Sequence, residues 1–94
     1  MSLVEIVRIP VAPGDADLLA RVVLSGEGTY LAAPRCERFD VLQAVDRSAV
    51  VVVATWASRV DHDAAAAEPG TRAYLDEVAG LAAGEPQVAF LTPA

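Results

Sequence analysis

Four consecutive valines inside AVVVVATWAS (49–58) constrain this chain more than any other stretch. A β-strand points successive side chains to opposite faces, so this segment has no face to offer to water. It must run through the middle of a sheet. The stretch before it, CERFDVLQAVD (36–46), alternates more cleanly and puts Phe39, Val41, Gln43 and Val45 on one face. Asp46-Arg47-Ser48 is a connection so short that the two strands form an antiparallel hairpin.

LVEIVRIPV (3–11) reads as a first strand, with Pro10 pointing to an edge or a bulge at its end. PQVAFLTP (86–93) reads as the last. Between the first two strands, DADLLARVVLSGEGTYLAAP (15–34) reads as a helix. Asp15 and Asp17 favour its start through the helix dipole, and Gly26 and Gly28 weaken its second half. After the third strand, Ser58-x-x-Asp61 fits a capping box opening a short helix that Pro69-Gly70 closes. A further helix starts at Thr71 with Tyr74, Val78 and Leu81 on one stripe and Gly84 as its C-cap. The order β-α-β-β-α-β predicts a single α+β domain over 1–94 of the ferredoxin-like kind, an antiparallel sheet with helices on one face.

The other face needs a cover. A 94-residue chain buries only roughly 60–65% of its unfolded surface, yet 54% of this one is hydrophobic. A second copy is the natural cover, so a homodimer is expected. The net charge is −6 and the seven basic residues are scattered singly, which argues against nucleic acid and anionic membrane. No apolar stretch is long enough to span a bilayer, and the N-terminus lacks the pattern of a secretion signal, so a cytoplasmic protein is expected. Cys36 and His62 are the sole residues of their kinds, which excludes an internal disulfide and a usual zinc site; no metal is expected. Flavin, nicotinamide and nucleotide fingerprints are also missing.

Any chemistry therefore falls to acid–base groups and the substrate's own reactivity. His62 exchanges its proton near neutral pH, and Asp61 and Asp63 flank it. The residues alone leave it open whether His62 is a general base or a solvated polar residue at a helix start. Trp56 offers either a flat wall for an aromatic ligand or a core residue at a strand end. Tyr30 and Tyr74 offer hydroxyls from helical stripes, Arg59 and Arg72 could meet an anion, and Cys36 reads as a small buried hydrophobe.

VVVVATWAS with its short helix, then EPGTRAYLDEVAGLAAGEPQVAFLTP, together with RIPV and PRCERFDV, resembles the antibiotic biosynthesis monooxygenase family of dimeric α/β barrels, in particular its actinorhodin-pathway type. The resemblance implies a homodimer with face-to-face sheets and a pocket between sheet and helices in each protomer. It also implies oxidation of a small aromatic polyketide, anthrone or quinol by O₂ as co-substrate, with no cofactor. Trp56 matches the family's pocket tryptophan, and His62 falls where the actinorhodin-type enzyme has a pocket tyrosine. That enzyme's strand asparagine falls on Val52, a substrate-binding position, and its helix arginine on Asp76. The haem-degrading relatives' first-strand asparagine corresponds to Val7, and their second tryptophan and distal histidine are missing, which argues against haem breakdown.

The leading expectation is a cofactor-independent monooxygenase with His62 and Trp56 as catalytic residues and Trp56, Tyr74, Val52 and Val7 lining the substrate pocket. A polyketide cyclase of the same fold and a non-catalytic small-molecule-binding protein are the alternatives.

Overall fold

The computed structural model describes residues 2–26 and 36–94. Strands β1 (Leu3–Pro10), β2 (Cys36–Gln43), β3 (Ala49–Trp56) and β4 (Gln87–Leu91) form one antiparallel sheet in the order β2-β3-β1-β4. Helices α1 (Ala16–Leu24), α2 (Arg59–Ala66) and α3 (Pro69–Leu81) complete the ferredoxin-like arrangement. The sheet is open, so one chain does not close a barrel.

The valine run occupies an inner strand, as its double-sided character requires. Val50, Val52, Ala54 and Trp56 face the helices and are buried, while Val51, Val53 and Thr55 on the outer face remain half-buried. Each such buried valine contributes about 1.5–3 kcal/mol relative to exposure. On β1, Leu3, Glu5, Val7 and Ile9 share the helix side. Their cross-strand partners fix this phase: Glu5 lies opposite Ala54 on β3 and opposite Phe90 on β4. Pro10 does not mark an edge; β1 is an inner strand, and the proline sits at its last position, paired with Ala49. Its carbonyl accepts from Ala83 N at 2.8 Å, which anchors the segment after α3.

Several boundaries differ from the sequence reading for local reasons. β2 stops at Gln43, and Val45 projects fully into solvent from the turn, where Arg47 adopts a left-handed φ of 63°. Asp46 holds that turn by accepting from Ser48 N at 3.0 Å. Helix α1 ends at Leu24, with Ser25 and Gly26 in a turn; the rest of the longer helix expected there, with Tyr30, lies outside the described residues. Its inward stripe is Ala16, Leu19, Ala20 and Val23, leaving Leu18 exposed. Pro69 opens α3 instead of closing α2, because proline's missing N–H costs nothing in a first helical turn. Ala82, in extended conformation, caps α3 in place of Gly84.

Two tertiary hydrogen bonds lock the helices. The buried Thr71 hydroxyl donates to Ala65 O at 2.8 Å, joining α3 to α2. The Tyr74 hydroxyl donates to Val23 O at 3.0 Å, joining α3 to α1. No described helix is long and apolar enough to cross a membrane.

Candidate functional site

Between the sheet and α3 lies a cavity of about 190 Å³. Val7, Ile9, Phe39 and Val52 rise from the sheet, and Tyr74, Leu75, Val78 and Ala79 descend from the helix. Among its described lining residues, the one charged side chain is Glu5. Val7, Val52 and Tyr74 thus meet at one hollow. Tyr74 contributes its ring there, while its hydroxyl is directed to the α1 carbonyl.

Glu5 was not singled out by sequence reasoning, and it organises the site. It is only 9% exposed, and both carboxylate oxygens are engaged. Oε1 accepts from the Trp56 indole N–H at 3.3 Å, and Oε2 lies 3.2 Å from His62 Nε2. An ionised carboxylate removed from water needs such partners, and charge-assisted contacts are the stronger kind. The register explains how the three meet. Trp56 is two residues beyond Ala54, the cross-strand partner of Glu5, and therefore lies diagonally across the same face. A two-residue link then reverses the chain into α2. Ser58 caps that helix by accepting from Asp61 N at 3.3 Å, and its hydroxyl donates to the Asp61 carboxylate at 2.7 Å. The reciprocal arm of the box thus reaches the serine side chain. One turn on, His62 swings back over the indole.

The imidazole is held on all sides. Trp56 and Phe90 pack edge-on against it, with centroids at 5.4 and 5.1 Å. Its Nδ1 lies 2.9 Å from Asp63 Oδ1. The Arg59 guanidinium sits 4.1 Å over the Phe90 ring and donates from Nε to Asp63 at 3.2 Å.

His62 and Trp56 are brought together, as expected, but neither belongs to the described lining of this cavity. Trp56 is completely buried, and its polar edge is directed at Glu5. The flat wall foreseen for an aromatic ligand is therefore supplied here by Phe39 and the Tyr74 ring, and the cavity-facing acid–base group is Glu5. The arginines considered as anion receptors are engaged elsewhere, Arg59 as above and Arg72 with Asp76 at 3.5 Å on the exposed side of α3. Cys36 is half-buried; burial raises its thiol pKa, and the nearby Glu5 charge adds to the rise. Among the described residues, no group of three His, Cys, Asp or Glu side chains is arranged to hold a metal ion.

Fold and cavity together define an α+β domain with a small, largely apolar hollow under its last helix. The family model for antibiotic biosynthesis monooxygenases matches residues 2–77, and the chain belongs to that family. Among solved structures, Rv0793 from Mycobacterium tuberculosis is 20% identical, with a TM-score of 0.88 covering 100% of this chain and 96% of the other. SnoaB from Streptomyces nogalater, a cofactor-independent oxygenase, is 18% identical, with a TM-score of 0.84 covering 99% and 93%. A conserved protein from Methanosarcina mazei Go1 is 11% identical, with a TM-score of 0.87 covering 97% and 91%. At these identities the likeness establishes the fold. A search of curated proteins finds no significant match.

Proposed function

We propose that the protein is a cofactor-independent monooxygenase that uses O₂ to oxidise a small, neutral, hydroxylated aromatic compound, with Glu5 as the base that ionises it. The observation that carries this reading is a single carboxylate among the otherwise uncharged described residues of the wall, held by His62 and Trp56. A carboxylate oxygen accepts more than one hydrogen bond, so a substrate hydroxyl or activated C–H can still approach. Like charge excludes carboxylate-bearing ligands from this wall. A cavity of 150 Å³ holds a benzene ring, so about 190 Å³ suits one or two fused rings.

For a ring-activated CH₂, proton transfer to Glu5 leaves an electron-rich anion. One electron passes to O₂, and radical and superoxide recombine to a peroxide anion. Glu5 returns its proton to the peroxide, and removal of the remaining C–H expels water and leaves C=O. The balance is R₂CH₂ + O₂ → R₂C=O + H₂O. In this scheme His62 and Trp56 act through Glu5, so the general-base role first expected of His62 passes to the carboxylate.

Oxygen uptake with 1,4-naphthalenediol, whose keto tautomer carries ring-activated CH₂ groups, corrected for spontaneous oxidation, tests the reading. Saturable, protein-dependent uptake is expected; its absence refutes it. A second reading rests on Val52, since the described cavity walls hold no amide or cationic side chain to cradle a peroxide. It is enolisation or ring closure of the cyclase kind, and substrate consumption without oxygen supports it.

A homodimer in the cell's soluble interior belongs to the same proposal. Val4, Ile6, Leu42, Val51, Val53 and Leu91 form an apolar patch on the outer sheet face, beside Arg8 and the Arg38–Asp40 ion pair, with Leu42 and Leu91 55% and 48% exposed.

A further inference from the structure

The line of contacts that starts at Glu5 does not stop at His62. It continues from Nδ1 to Asp63, whose side chain is 61% exposed while the His62 side chain is 12% exposed. A carboxylate, an imidazole and a second carboxylate thus connect the apolar cavity wall to the surface. Ionised carboxylates only accept hydrogen bonds. The two contacts at 3.2 and 2.9 Å are both hydrogen bonds only when each ring nitrogen carries a proton.

The Asp63 carboxyl agrees with this arrangement. The hydrogen bond from His62 holds it below the usual carboxylate range, opposed by desolvation and assisted by Arg59. An ionised Asp63 is an acceptor for an Nδ1–H donor. The remaining neighbours of the imidazole do not compete. Trp56 from β3 and Phe90 from β4 present uncharged rings, Glu5 comes from β1, and Arg59 on α2 is engaged with Asp63. Asp61 is turned to Ser58, and Cys36 on β2 lies next to Glu5.

We infer that Asp63 is a positioning residue that keeps His62 doubly protonated, so that Glu5 stays an ionised base on the cavity wall. The role rests on the proposed reading of Glu5. The transferred proton moves only between substrate and Glu5, while His62 keeps both of its own. Asp63 touches no substrate.

Nitrogen-15 NMR titration of the single histidine tests this in the ligand-free protein, independently of turnover. In Asp63→Asn, the amide oxygen can still accept from Nδ1 while the charge is gone. The His62 midpoint is expected to fall, as it does when the acidic partner of an ion pair loses its charge. Asp63→Glu restores it, and Arg59→Gln moves it upward, opposite signs that general loosening of the fold does not produce. In oxygen uptake, Asp63→Asn lowers kcat at neutral pH with KM unchanged. An unmoved midpoint in Asp63→Asn overturns the inference. A shifted midpoint in a wild-type protein that consumes no oxygen refutes the oxygenase reading and leaves the positioning role standing.

Discussion

Replacing Glu5 by glutamine separates the chemistry of this carboxylate from its structural part. The amide has almost the same shape, and its oxygen can accept from the Trp56 indole as Oε1 does at 3.3 Å. With the Glu5 charge gone, the ring can give up its Nε2 proton and accept there from the NH₂, replacing the 3.2 Å contact. No buried polar atom is left without a partner, so the stability cost stays below about 1 kcal/mol. For a domain of this size that is less than about 4–8 °C in Tm. The amide cannot take up a proton, however, and general-base catalysis is worth roughly 10²–10⁴ in rate, or about 3–5 kcal/mol of barrier. Glu5→Leu behaves differently. It removes the carboxylate acceptor of the fully buried indole N–H, at a cost of about 1–3 kcal/mol, in addition to abolishing the base. Thermal melts by circular dichroism and background-corrected oxygen uptake on the same samples read both quantities. A Glu5→Gln protein that melts normally and keeps its full rate refutes Glu5 as the base. One that loses more than about 3 kcal/mol shows that the charge itself holds the fold, and the argument from shape fails.

Two further outcomes follow from packing. A Cβ added at Gly26 meets the Tyr74 Cζ and hydroxyl at 2.6 Å, so Gly26→Ala is expected to lose about 1–3 kcal/mol in urea denaturation; an unchanged midpoint contradicts the close approach. Val53 stands on the outer sheet face, so Val53→Asp is expected to convert a dimer to monomers in light scattering without loss of β content; a wild-type protein already monomeric at micromolar concentration refutes the dimer.

Much of the frame was legible because the signals were local. The valine run demanded an inner strand, the three-residue link demanded a hairpin, and Ser58 announced a helix start that the Asp61 N–H contact bears out. Glu5 was harder to read. It shares parity with Leu3, Val7 and Ile9, which place it inward, but Val4 and Ile6 make the opposite parity apolar too. A strand greasy on both faces does not say which face the helices cover, and only the register with Ala54 and Phe90 decides it. Gly26 looked like a weak point in a helix for a related reason. Its close neighbour is Tyr74 on α3, a contact made by tertiary packing that no local periodicity encodes.

On the proposed reading, a base inside the cavity with the imidazole behind it has an electrostatic consequence. Ionising a ring within apolar walls normally adds an uncompensated charge to a region that solvates it poorly, which costs several kcal/mol. If the proton went to a histidine outside the hollow, the cavity would gain a full negative charge beside the one on Glu5. Transfer to Glu5 itself changes nothing in the sum: one anion disappears from the carboxylate as another appears on the ring. The charge moves only across the gap between them. The His62 ring stays close throughout, 3.2 Å from the carboxylate oxygen. A leucine in this position would pack against Phe90 and Ala54 at least as well, so hydrophobic packing gives no reason for a glutamate here. What the carboxylate adds is a proton acceptor whose use leaves the net charge of the cavity unchanged. That is the property an oxygenase without a metal or flavin needs in order to make its substrate donate an electron.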